Sequence, residues 1–476
     1  MYKNTIISIL LFLKSQVYIL KMSYFISIIG SGIIGAITSL MLFICNNKNI
    51  IIVFESNKKV SIENSKTLNN AGTGHAGMCE NNYIIRTKNN FLIKKSARIY
   101  CKFEMTKIFF SWVRYLKIFN FKKSLIKTPH VSYFFLKLNK IKLKKIFYKL
   151  KKFTNSIKFT YNHYFINKIY PLLLNNKKIK KNFTITYYKK GFDINYRLIV
   201  KKIFIFLIKQ KNFFIYLNTK VLKIKKKKKY YSLSIKKKKI LFDYVLICAG
   251  GMSYSLANEY NKLNLNKYLN FPIKGDWLIN ENFKFIKKHN IKVYSETLKN
   301  NPPMSIPHLD LRNILNEKKI LFGPYAGITF DILVTKKKYI FDSLNIKNFF
   351  LIILFTINNN ILTKYLLFES INTKYKKILN TLQFCNIKKF YLKKAGKRLQ
   401  ILKKKNNKVK IIFGTKLIFD KNKCLATILG ASPGASISVY ISKKLIENWI
   451  KIPKKFIPNC KNLIKKNKIF IKKIYI

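Results

Sequence analysis

The first part of the chain has a pattern of apolar and polar positions that predicts a strand, a helix and a second strand. The apolar run Tyr24 to Ile29 predicts a buried strand, and the run Ile50 to Phe54 predicts another. Between them, residues from about Gly32 to Asn46 have the period of a helix, and a glycine-rich turn precedes it. Such a strand–turn–helix–strand unit predicts a Rossmann-type nucleotide-binding domain.

Helical patterns dominate two longer segments, residues 100–180 and 340–394. In the first, the aromatic residues at helical spacing between Phe109 and Tyr115 are predicted to lie in the core. A shorter helix is predicted to open in the segment 191–195 and to run to about Lys209. Either Asp193 or Asn195 is expected to cap its N-terminus, because short polar side chains accept hydrogen bonds from the first turn of a helix.

Extended segments are predicted between and after these helices. Residues 218–247 are expected to form two or three strands whose lysine runs face solvent, and residues 271–330 alternate apolar and polar positions as strands do. The chain returns to strands after Ala395. A last helix is expected to open at Gly434 and to run to about Trp449.

These elements predict an α/β chain: a Rossmann-type dinucleotide-binding domain with a discontinuous second domain of α+β type, built on an antiparallel sheet. The dinucleotide-binding domain is expected to comprise residues 22–95, 185–265 and 395–450. The second domain is expected to comprise residues 96–184 and 266–394. Residues 1–21 are interpreted as an N-terminal extension without a structural role, and residues 451–476 as a Lys-rich tail.

The charge of the chain is extreme but unspecific. The 476 residues carry a net charge of +78, and 49% of them are hydrophobic, which is enough to build a large core. A strongly basic chain first suggests nucleic acid or an anionic membrane as a partner. Nucleic-acid readers favour arginine, however, whereas 95 basic residues here include only Arg86, Arg98, Arg114, Arg197, Arg312 and Arg398. No specific nucleic-acid partner is therefore expected.

Cysteines and apolar runs exclude several classes of protein. The seven cysteines show no C-x-x-C spacing, so free thiols in a reducing compartment are expected and a metal site is not. The run Thr5 to Leu13 lacks the length and the cleavage site of a secretory signal. The longest apolar run elsewhere, Phe349 to Phe355, is too short to span a bilayer.

A glycine fingerprint, Gly30-Ser31-Gly32-Ile33-Ile34-Gly35, follows the first predicted strand, and Glu55 closes the second. In this context the glycines let the backbone approach a pyrophosphate at the N-terminus of the helix, and the acid binds a ribose hydroxyl. The later strand Tyr244 to Cys248 ends in Ala249-Gly250-Gly251, which predicts a second close approach to the dinucleotide. The fingerprint alone does not distinguish FAD from NAD.

A second glycine-rich segment, Asn69-Asn70-Ala71-Gly72-Thr73-Gly74-His75-Ala76, suits close passage beside a flat cofactor. Together with Cys79-Glu80-Asn81-Asn82-Tyr83, it resembles the signature of bacterial malate:quinone oxidoreductases, a flavoprotein family related to glycine oxidase and D-amino-acid oxidase. Further blocks resemble the family in order: Thr128 to Ser132, Gly191 to Asn195, Phe271 to Gly275, Pro302 to Arg312, Leu321 to Pro324, Ala395 to Gln400 and Gly430 to Ser436. The chain departs from the family at Lys274, where a glycine is usual, and at Lys397, where glutamine is usual.

The resemblance implies FAD-dependent oxidation of (S)-malate to oxaloacetate, a step of the tricarboxylic acid cycle, with electrons passed to a membrane quinone. It also implies a cytoplasmic location, peripherally on the inner face of the cell membrane, where the positive charge favours an anionic lipid surface. Two alternatives stay open. One is an FAD-dependent oxidase or dehydrogenase of another small 2-hydroxy or amino acid, such as 2-hydroxyglutarate. The other is a Lys-rich protein that binds nucleic acid or anionic membrane and keeps a relic nucleotide fold.

Malate oxidation needs a base for the hydroxyl proton and cations for two carboxylates. His308 is the leading candidate for the base, with His75 and His130 as alternatives. Arg312 and Arg398 are the candidate carboxylate clamps, because a guanidinium offers a planar fork of donors.

The remaining two histidines, His163 and His289, are expected at the surface. The helix predicted to open at Gly434 is expected to direct its positive end at the flavin. The predicted cofactor-binding residues are Gly30, Gly32, Ile33, Ile34, Gly35, Glu55, Asn70, Ala71, Gly72, Thr73, Gly74, His75, Val221, Ala249, Gly250, Gly251, Gly430, Pro433, Gly434, Ala435 and Ser436.

Overall fold

The structure is a computed structural model, and it describes most of the chain between residues 23 and 450. The residues outside the description are 1–22, 75, 81–82, 87–90, 116, 119–123, 136, 175–182, 237, 264, 266, 296–306, 315, 340–345, 383–384, 386, 388, 406–407, 413, 431–433 and 451–476.

The described residues form strands of very different length, from two to fifteen residues. They are, in chain order, β1 Phe25–Ile29, β2 Ile50–Phe54, β3 Thr73–Gly74, β4 Ile85–Arg86, β5 Phe91–Leu92, β6 Leu125–Lys127, β7 His130–Phe135, β8 Ile157–Thr160, β9 Phe183–Tyr188, β10 Phe192–Ile194, β11 Phe213–Tyr216, β12 Val221–Lys227, β13 Tyr230–Ile235, β14 Lys238–Phe242, β15 Tyr244–Ile247, β16 Tyr268–Asn280, β17 Lys292–Tyr294, β18 His308–Ile314, β19 Glu317–Ile328, β20 Tyr391–Lys405, β21 Lys408–Ile412, β22 Lys416–Phe419 and β23 Leu425–Leu429.

The α-helices of the described residues are, in chain order, α1 Ile33–Cys45, α2 Lys94–Tyr115, α3 Lys137–Lys151, α4 His163–Ile169, α5 Pro171–Leu174, α6 Tyr196–Ile208, α7 Ser253–Tyr260, α8 Phe283–Lys287, α9 Ile346–Asn358, α10 Asn360–Ile371, α11 Lys374–Thr381 and α12 Ser438–Trp449. Short 3₁₀ turns occupy Thr67–Asn69 and Gly250–Met252.

A six-stranded sheet in the order β11-β2-β1-β15-β23-β22 forms the first layer of the fold. All neighbouring strands run parallel except β22, which is antiparallel to β23. Strand β1 is buried on both faces, as strands of a parallel sheet are. Its Ile26 and Ile28 face the core shared with helices α1, α6 and α12, and Ile29 faces the antiparallel meander β12-β13-β14.

A nine-stranded sheet in the order β21-β20-β16-β19-β18-β17-β7-β9-β8 forms the second large unit. Every neighbouring pair is antiparallel except β17 and β7, which run parallel. The predicted fold class, a Rossmann-type sheet with a second unit built on an antiparallel sheet, is confirmed.

The strands of the six-stranded sheet all come from the three segments predicted for the dinucleotide-binding domain. The boundary predicted at residue 395 falls inside β20, which belongs to the nine-stranded sheet together with β21. Residues 100–180 are also less helical than predicted, because β6, β7 and β8 lie among helices α2 to α5. Aromatic residues at adjacent positions satisfy a strand as readily as a helix, which explains the error.

Helix α6 begins as the sequence predicts. Its N-cap is Asn195, whose side chain accepts a hydrogen bond from the backbone N–H of Leu198 at 3.1 Å. The last helix, α12, begins at Ser438, whereas the sequence placed its start at Gly434; the intervening residues form turns.

Among the described residues, no single helix is both long and apolar enough to cross a membrane. One bent pair, Phe350–Asn358 with Asn360–Ile371, passes that test together, with an angle of 99° between its helices.

Candidate functional site

A cavity of about 550 Å³ lies at the carboxyl ends of β1, β2 and β15 and reaches residues of the nine-stranded sheet. The carboxyl ends of parallel strands are where open α/β sheets bind ligands. The cavity extends from the glycine turn before α1 to His308 on β18 and Arg398 on β20. An elongated ligand can therefore contact both sheets.

The three fingerprint glycines meet three different steric demands. Gly30 has φ of +113°, and a Cβ there would lie 2.5 Å from the Cys248 carbonyl oxygen. A Cβ on Gly35 would lie 2.2 Å from the Gly30 carbonyl oxygen, so this glycine allows α1 to pack against the turn. Gly32 lines the cavity, where a Cβ would approach the Ser65 hydroxyl at 3.3 Å. The turn thus leaves backbone open to a ligand at the N-terminus of α1.

Glu55 stands at the end of β2 and lines the same cavity. Its Oε2 accepts hydrogen bonds from the Ser31 hydroxyl at 2.6 Å and the Ser31 backbone N–H at 3.1 Å. Its Oε1 accepts two more from Asn57, each at 2.9 Å. These bonds fix the carboxylate beside the glycine turn, where it can accept hydrogen bonds from a sugar.

The loop around Asn70 is held rigidly under the cavity. The Asn70 side chain accepts from the backbone N–H of Gly72 at 2.9 Å and donates to the carbonyl oxygens of Asn64 and Lys66. Gly72 has φ of +56°, and a Cβ there would lie 2.2 Å from the Arg312 guanidinium. Glycine is required at this position both for its backbone conformation and for this contact.

His308 lines the cavity at the start of β18 and is oriented by a carboxylate. Its Nδ1 lies 2.8 Å from Oδ2 of Asp310, which is two residues along the strand and therefore on the same face. The rings of Tyr294 and Trp277 flank the imidazole at 5.1 and 5.9 Å between centroids. The imidazole is thus confined on several sides, with 12% of the side chain exposed.

A buried network of ion pairs continues from Asp310. Lys292 lies opposite Asp310 across β17 and β18, and its Nζ lies 3.2 Å from Asp310 and 3.1 Å from Asp193. Asp193 also pairs with Nε of Arg312 at 2.6 Å. These charges are almost completely removed from solvent, so each depends on its partners.

The network also fixes the loop under the cavity. The Lys292 ammonium donates to the Ala71 carbonyl oxygen at 3.1 Å, and the Arg312 guanidinium donates to the Asn70 carbonyl oxygen at 2.7 Å. Burial alone raises the pKa of Asp310, but its electrostatic contacts with His308, Lys292 and Arg312 outweigh burial and hold that pKa below its usual range. The Asp310 carboxylate beside His308 is therefore ionised.

Arg398 is the second cation of interest. It lies on β20, lines the cavity, and does not appear in the ion pairs formed among the described residues. Burial lowers the pKa of its guanidinium, an effect that Glu80 and Tyr83 oppose. The neighbouring Lys397 also lines the cavity, but it pairs with Asp331 at 3.0 Å. Arg398 is thus placed to receive an anion.

Most of the predicted site residues line this cavity. They are Gly30, Gly32, Ile33, Ile34, Glu55, Asn70, Ala71, Gly72, Thr73, Val221, Ala249, Gly250, His308, Arg398, Gly430, Gly434, Ala435 and Ser436. His75 and Pro433 lie outside the described residues.

Three predicted cofactor glycines do not line the cavity, and each has a packing role instead. Gly35 contacts Gly30 as described above. A Cβ on Gly74 would lie 2.7 Å from Phe192, and a Cβ on Gly251 would lie 2.2 Å from the Ile332 carbonyl oxygen. Each glycine is required by a protein neighbour rather than by a ligand.

Two predicted catalytic residues also lie behind the cavity wall. Arg312 is fully buried and committed to Asp193 and to loop carbonyls, so it does not present a fork to a ligand carboxylate. His130 is buried at the start of β7, with its ring 6.0 Å from the Tyr294 ring. Neither lines the cavity.

His289 was expected at the surface, and this was wrong. The side chain is completely buried, and its Nε2 lies 3.4 Å from the Leu309 carbonyl oxygen. Burial lowers the pKa of His289 to about 4. His163, in contrast, is exposed as expected.

Sequence reasoning missed Asp310 and Lys292 as site residues. Asp310 had a signal, because alternate residues His308, Asp310 and Arg312 of a predicted strand share one face. Lys292 had none, since it is one lysine among many and its partners lie elsewhere in the sequence. Within the described ranges, no group of His, Cys, Asp and Glu could hold a metal ion.

Comparisons with known proteins identify the family of the chain. A family model described as malate:quinone oxidoreductase (Mqo) matches residues 23–472. A probable malate:quinone oxidoreductase of Wigglesworthia glossinidia brevipalpis is 35% identical over 427 residues, covering 86% of this chain and 84% of that protein. Another from Blochmanniella floridana is 35% identical over 454 residues, covering 91% and 86%.

Solved structures show the same fold at low identity. The L-α-glycerophosphate oxidase of Mycoplasma pneumoniae, solved with FAD bound, has a TM-score of 0.56 and 16% identity, covering 90% of this chain and 95% of that one. The L-proline dehydrogenase of P. horikoshii has a TM-score of 0.58 and 13% identity, covering 92% and 96%.

Proposed function

The chain belongs to the malate:quinone oxidoreductase family, and from this premise we propose that it oxidises (S)-malate to oxaloacetate with FAD and passes the electrons to a quinone. The observation that carries the proposal is a cavity that joins a dinucleotide-binding turn to His308 and Arg398. The family favours malate over 2-hydroxyglutarate as substrate and an enzyme over a binding protein.

The residues of the cavity fit FAD. Glu55 would accept hydrogen bonds from the ribose, and the backbone after Gly30 and the N-terminus of α1 would hold the pyrophosphate. Gly250 has open space around the position of a Cβ, which leaves its backbone accessible to the ligand. Bound at these residues, FAD would supply the acceptor for the hydride from C2 of malate.

His308 takes the proton of the malate hydroxyl in this proposal. Because its Nδ1 faces the ionised Asp310 carboxylate, the ring proton is assigned to Nδ1, which leaves the lone pair on Nε2 to accept the proton. After the transfer, the imidazolium is stabilised by Asp310. His75 and His130 are the alternatives; the position of His130 behind Tyr294 favours His308.

Arg398 binds a carboxylate of malate. A planar guanidinium that lines the cavity can form two parallel hydrogen bonds to that group. Arg312 has a different role in the proposal, because its guanidinium already holds Asp193 and the Asn70 carbonyl oxygen. It fixes the loop under the cofactor.

The turn of Gly434, Ala435 and Ser436 lines the cavity ahead of α12, whose N-terminus points positive charge in that direction. This partial charge would stabilise negative charge on a flavin bound there. We also propose that the protein associates peripherally with the inner face of the cell membrane, on an anionic lipid surface, in keeping with its net charge of +78.

The test is anaerobic reduction of the FAD-loaded protein by malate, compared between wild type and His308→Asn. Loss of a positioned base slows this step by about 10²–10⁴-fold, whereas the matched variant of an exposed histidine, His163→Asn, keeps the wild-type rate. Faster reduction by 2-hydroxyglutarate than by malate would assign another substrate. Equal rates in both variants would remove His308 from the mechanism.

A further inference from the structure

Helix α9 carries an apolar stripe that faces away from the protein. Phe350, Ile353 and Ile357 are 58%, 39% and 68% exposed, and their spacing of three and four residues places them on one side of the helix. The opposite side buries Leu351 and Phe355 in the core that also contains the residues of β16. The helix therefore packs one side into the core and leaves the large apolar side chains of its other side in solvent.

Helix α10 repeats the arrangement directly after the bend. Ile361, Phe368 and Ile371 are 50%, 61% and 75% exposed. Its buried stripe, Leu362 and Leu366, enters the same core as that of α9. Because both inner stripes enter one core, both outer stripes face away from it.

The charges around these stripes have one sign. Residues 350–379 contain a single acid, Glu369, and it is buried. Lys364, Lys374 and Lys376 in the same segment are exposed. A second copy of this chain carries the same net charge of +78, so self-association through this face is disfavoured by repulsion between like charges. A bilayer with anionic headgroups matches both the apolar stripes and the lysines.

The same region is continuous with the cavity. Leu333 lines the cavity and packs, together with Ile352 of α9, against the small cluster of Ile332 and Leu399. Lys336 and Lys337, just beyond Leu333, also line the cavity and are exposed. The helices therefore stand beside a basic rim of the cavity.

We propose that Phe350, Ile353, Ile357, Ile361, Phe368 and Ile371, here named the docking face, lie in the headgroup layer of an anionic bilayer. The neighbouring lysines contact lipid phosphates, and the basic rim is thereby brought to the membrane surface. This proposal rests on the membrane association proposed above and names the surface that binds, but it does not depend on malate oxidation. Its consequence, access of membrane quinone to the cavity, rests on that function.

The test compares two double variants with the same change of charge. Ile357→Glu with Ile371→Glu alters the docking face, and Ile205→Glu with Ile208→Glu alters two isoleucines of α6 that are 61% and 57% exposed. The full-length, FAD-loaded proteins are floated with vesicles of phosphatidylcholine and phosphatidylglycerol, and with phosphatidylcholine alone. We expect the docking-face variant to bind the anionic vesicles at least about tenfold more weakly than wild type, and the α6 variant to bind within about twofold of it.

Each other outcome has a definite meaning. Equal loss of vesicle binding in both variants would overturn the proposal, because net charge alone would then determine binding. Wild-type dimers that dissociate in the docking-face variant, with vesicle binding retained, would overturn it in favour of an interface between copies. Activity separates it from the proposed function: malate oxidation with a soluble acceptor stays at the wild-type rate in the docking-face variant, whereas reduction of vesicle-embedded quinone falls. Selective loss of vesicle binding without any malate oxidation would support docking and refute the function.

Discussion

Replacement of Asp310 by Asn tests the part of the buried ion-pair network that contacts His308. The carboxylate of Asp310 is fully buried, 2.8 Å from Nδ1 of His308 and 3.2 Å from Nζ of Lys292. Asn has the same shape without the charge, and its amide can donate to Nδ1. The ring proton then moves to Nε2, and His308 can no longer accept the proton of malate.

The size of the effect follows from the distance. Two unit charges 2.8 Å apart attract by at most about 6 kcal/mol at an effective dielectric constant of about 20, and this stabilises the imidazolium formed during the reaction. Complete loss of that attraction corresponds to roughly 10⁴-fold in rate, and partial compensation by the solvent reduces it. We therefore expect kcat to fall between about 10²- and 10⁴-fold.

The assay is the anaerobic rate of flavin reduction by malate, measured on the FAD-loaded, folded protein. Malate carrying deuterium at C2 reports whether the chemical step has become limiting. We expect kcat to fall far more than malate affinity, and the isotope effect on kcat to rise to its full value.

The matched control is Asp193→Asn. It removes the other carboxylate of the network, which pairs with Lys292 and Arg312 but not with His308. The loss of a buried partner costs about 3–5 kcal/mol of folding free energy, so the Tm falls. The rate per bound flavin stays within a few-fold. A wild-type kcat in Asp310→Asn, or an equal fall in both variants, would refute the reasoning.

Three further predictions concern single side chains, two that line the cavity and one, His289, that is buried outside it. Arg398→Met raises the KM for malate by about 10–100-fold with bound flavin retained, and an unchanged KM in steady-state assays would exclude a carboxylate contact. Glu55→Gln weakens the binding of FAD by at least about tenfold, as measured in flavin-release titrations. An FAD affinity equal to that of wild type would contradict a contact between Glu55 and the ribose. Because the pKa of His289 is lowered to about 4 from 6.5, the unfolded state binds more protons between these pH values, so the folded state loses up to about 3 kcal/mol as pH falls through this range. The free energy of unfolding of His289→Gln does not fall in this way. If the free energies of unfolding of both proteins had the same pH dependence, the prediction would be wrong.

The parts of the fold that the sequence predicted well are those determined by neighbours along the chain. The βαβ unit around Gly30 lies within one continuous segment, Phe25 to Phe54, and the Asn195 cap depends on residues within one helical turn. Their patterns are local, so they can be recognised without the rest of the structure. The glycine fingerprint belongs to the same class, although Gly35 is required by packing and not by a ligand.

The parts that could not be predicted depend on strand pairing between distant segments. Strand β17 brings Lys292 beside Asp310 on β18 and His130 on β7. The apolar periodicity of a single strand does not reveal which strands pair with it. His289 lies between polar residues in the sequence, yet the fold buries it against the Leu309 carbonyl oxygen. The abundance of lysine adds to the difficulty, because a buried, paired lysine has the same letter as an exposed one.

Arginine shows the limit of composition as evidence. Its rarity marked Arg312 and Arg398 as candidate clamps, yet the two have different environments. Arg398 lines the cavity, whereas Arg312 is enclosed by Asp193 and the Asn70 loop. A rare residue type indicates that its position requires that side chain for a specific contact. The structure is needed to tell a ligand contact from an internal ion pair.

The most direct test of the central claim follows the flavin itself. The purified, FAD-loaded protein is mixed with malate without oxygen or NAD, and a quinone analogue is then added. We predict that malate bleaches the flavin absorbance and that the quinone restores it. A flavin that stays oxidised with malate but is bleached by another hydroxy or amino acid would contradict the account, as would a protein that takes up no flavin.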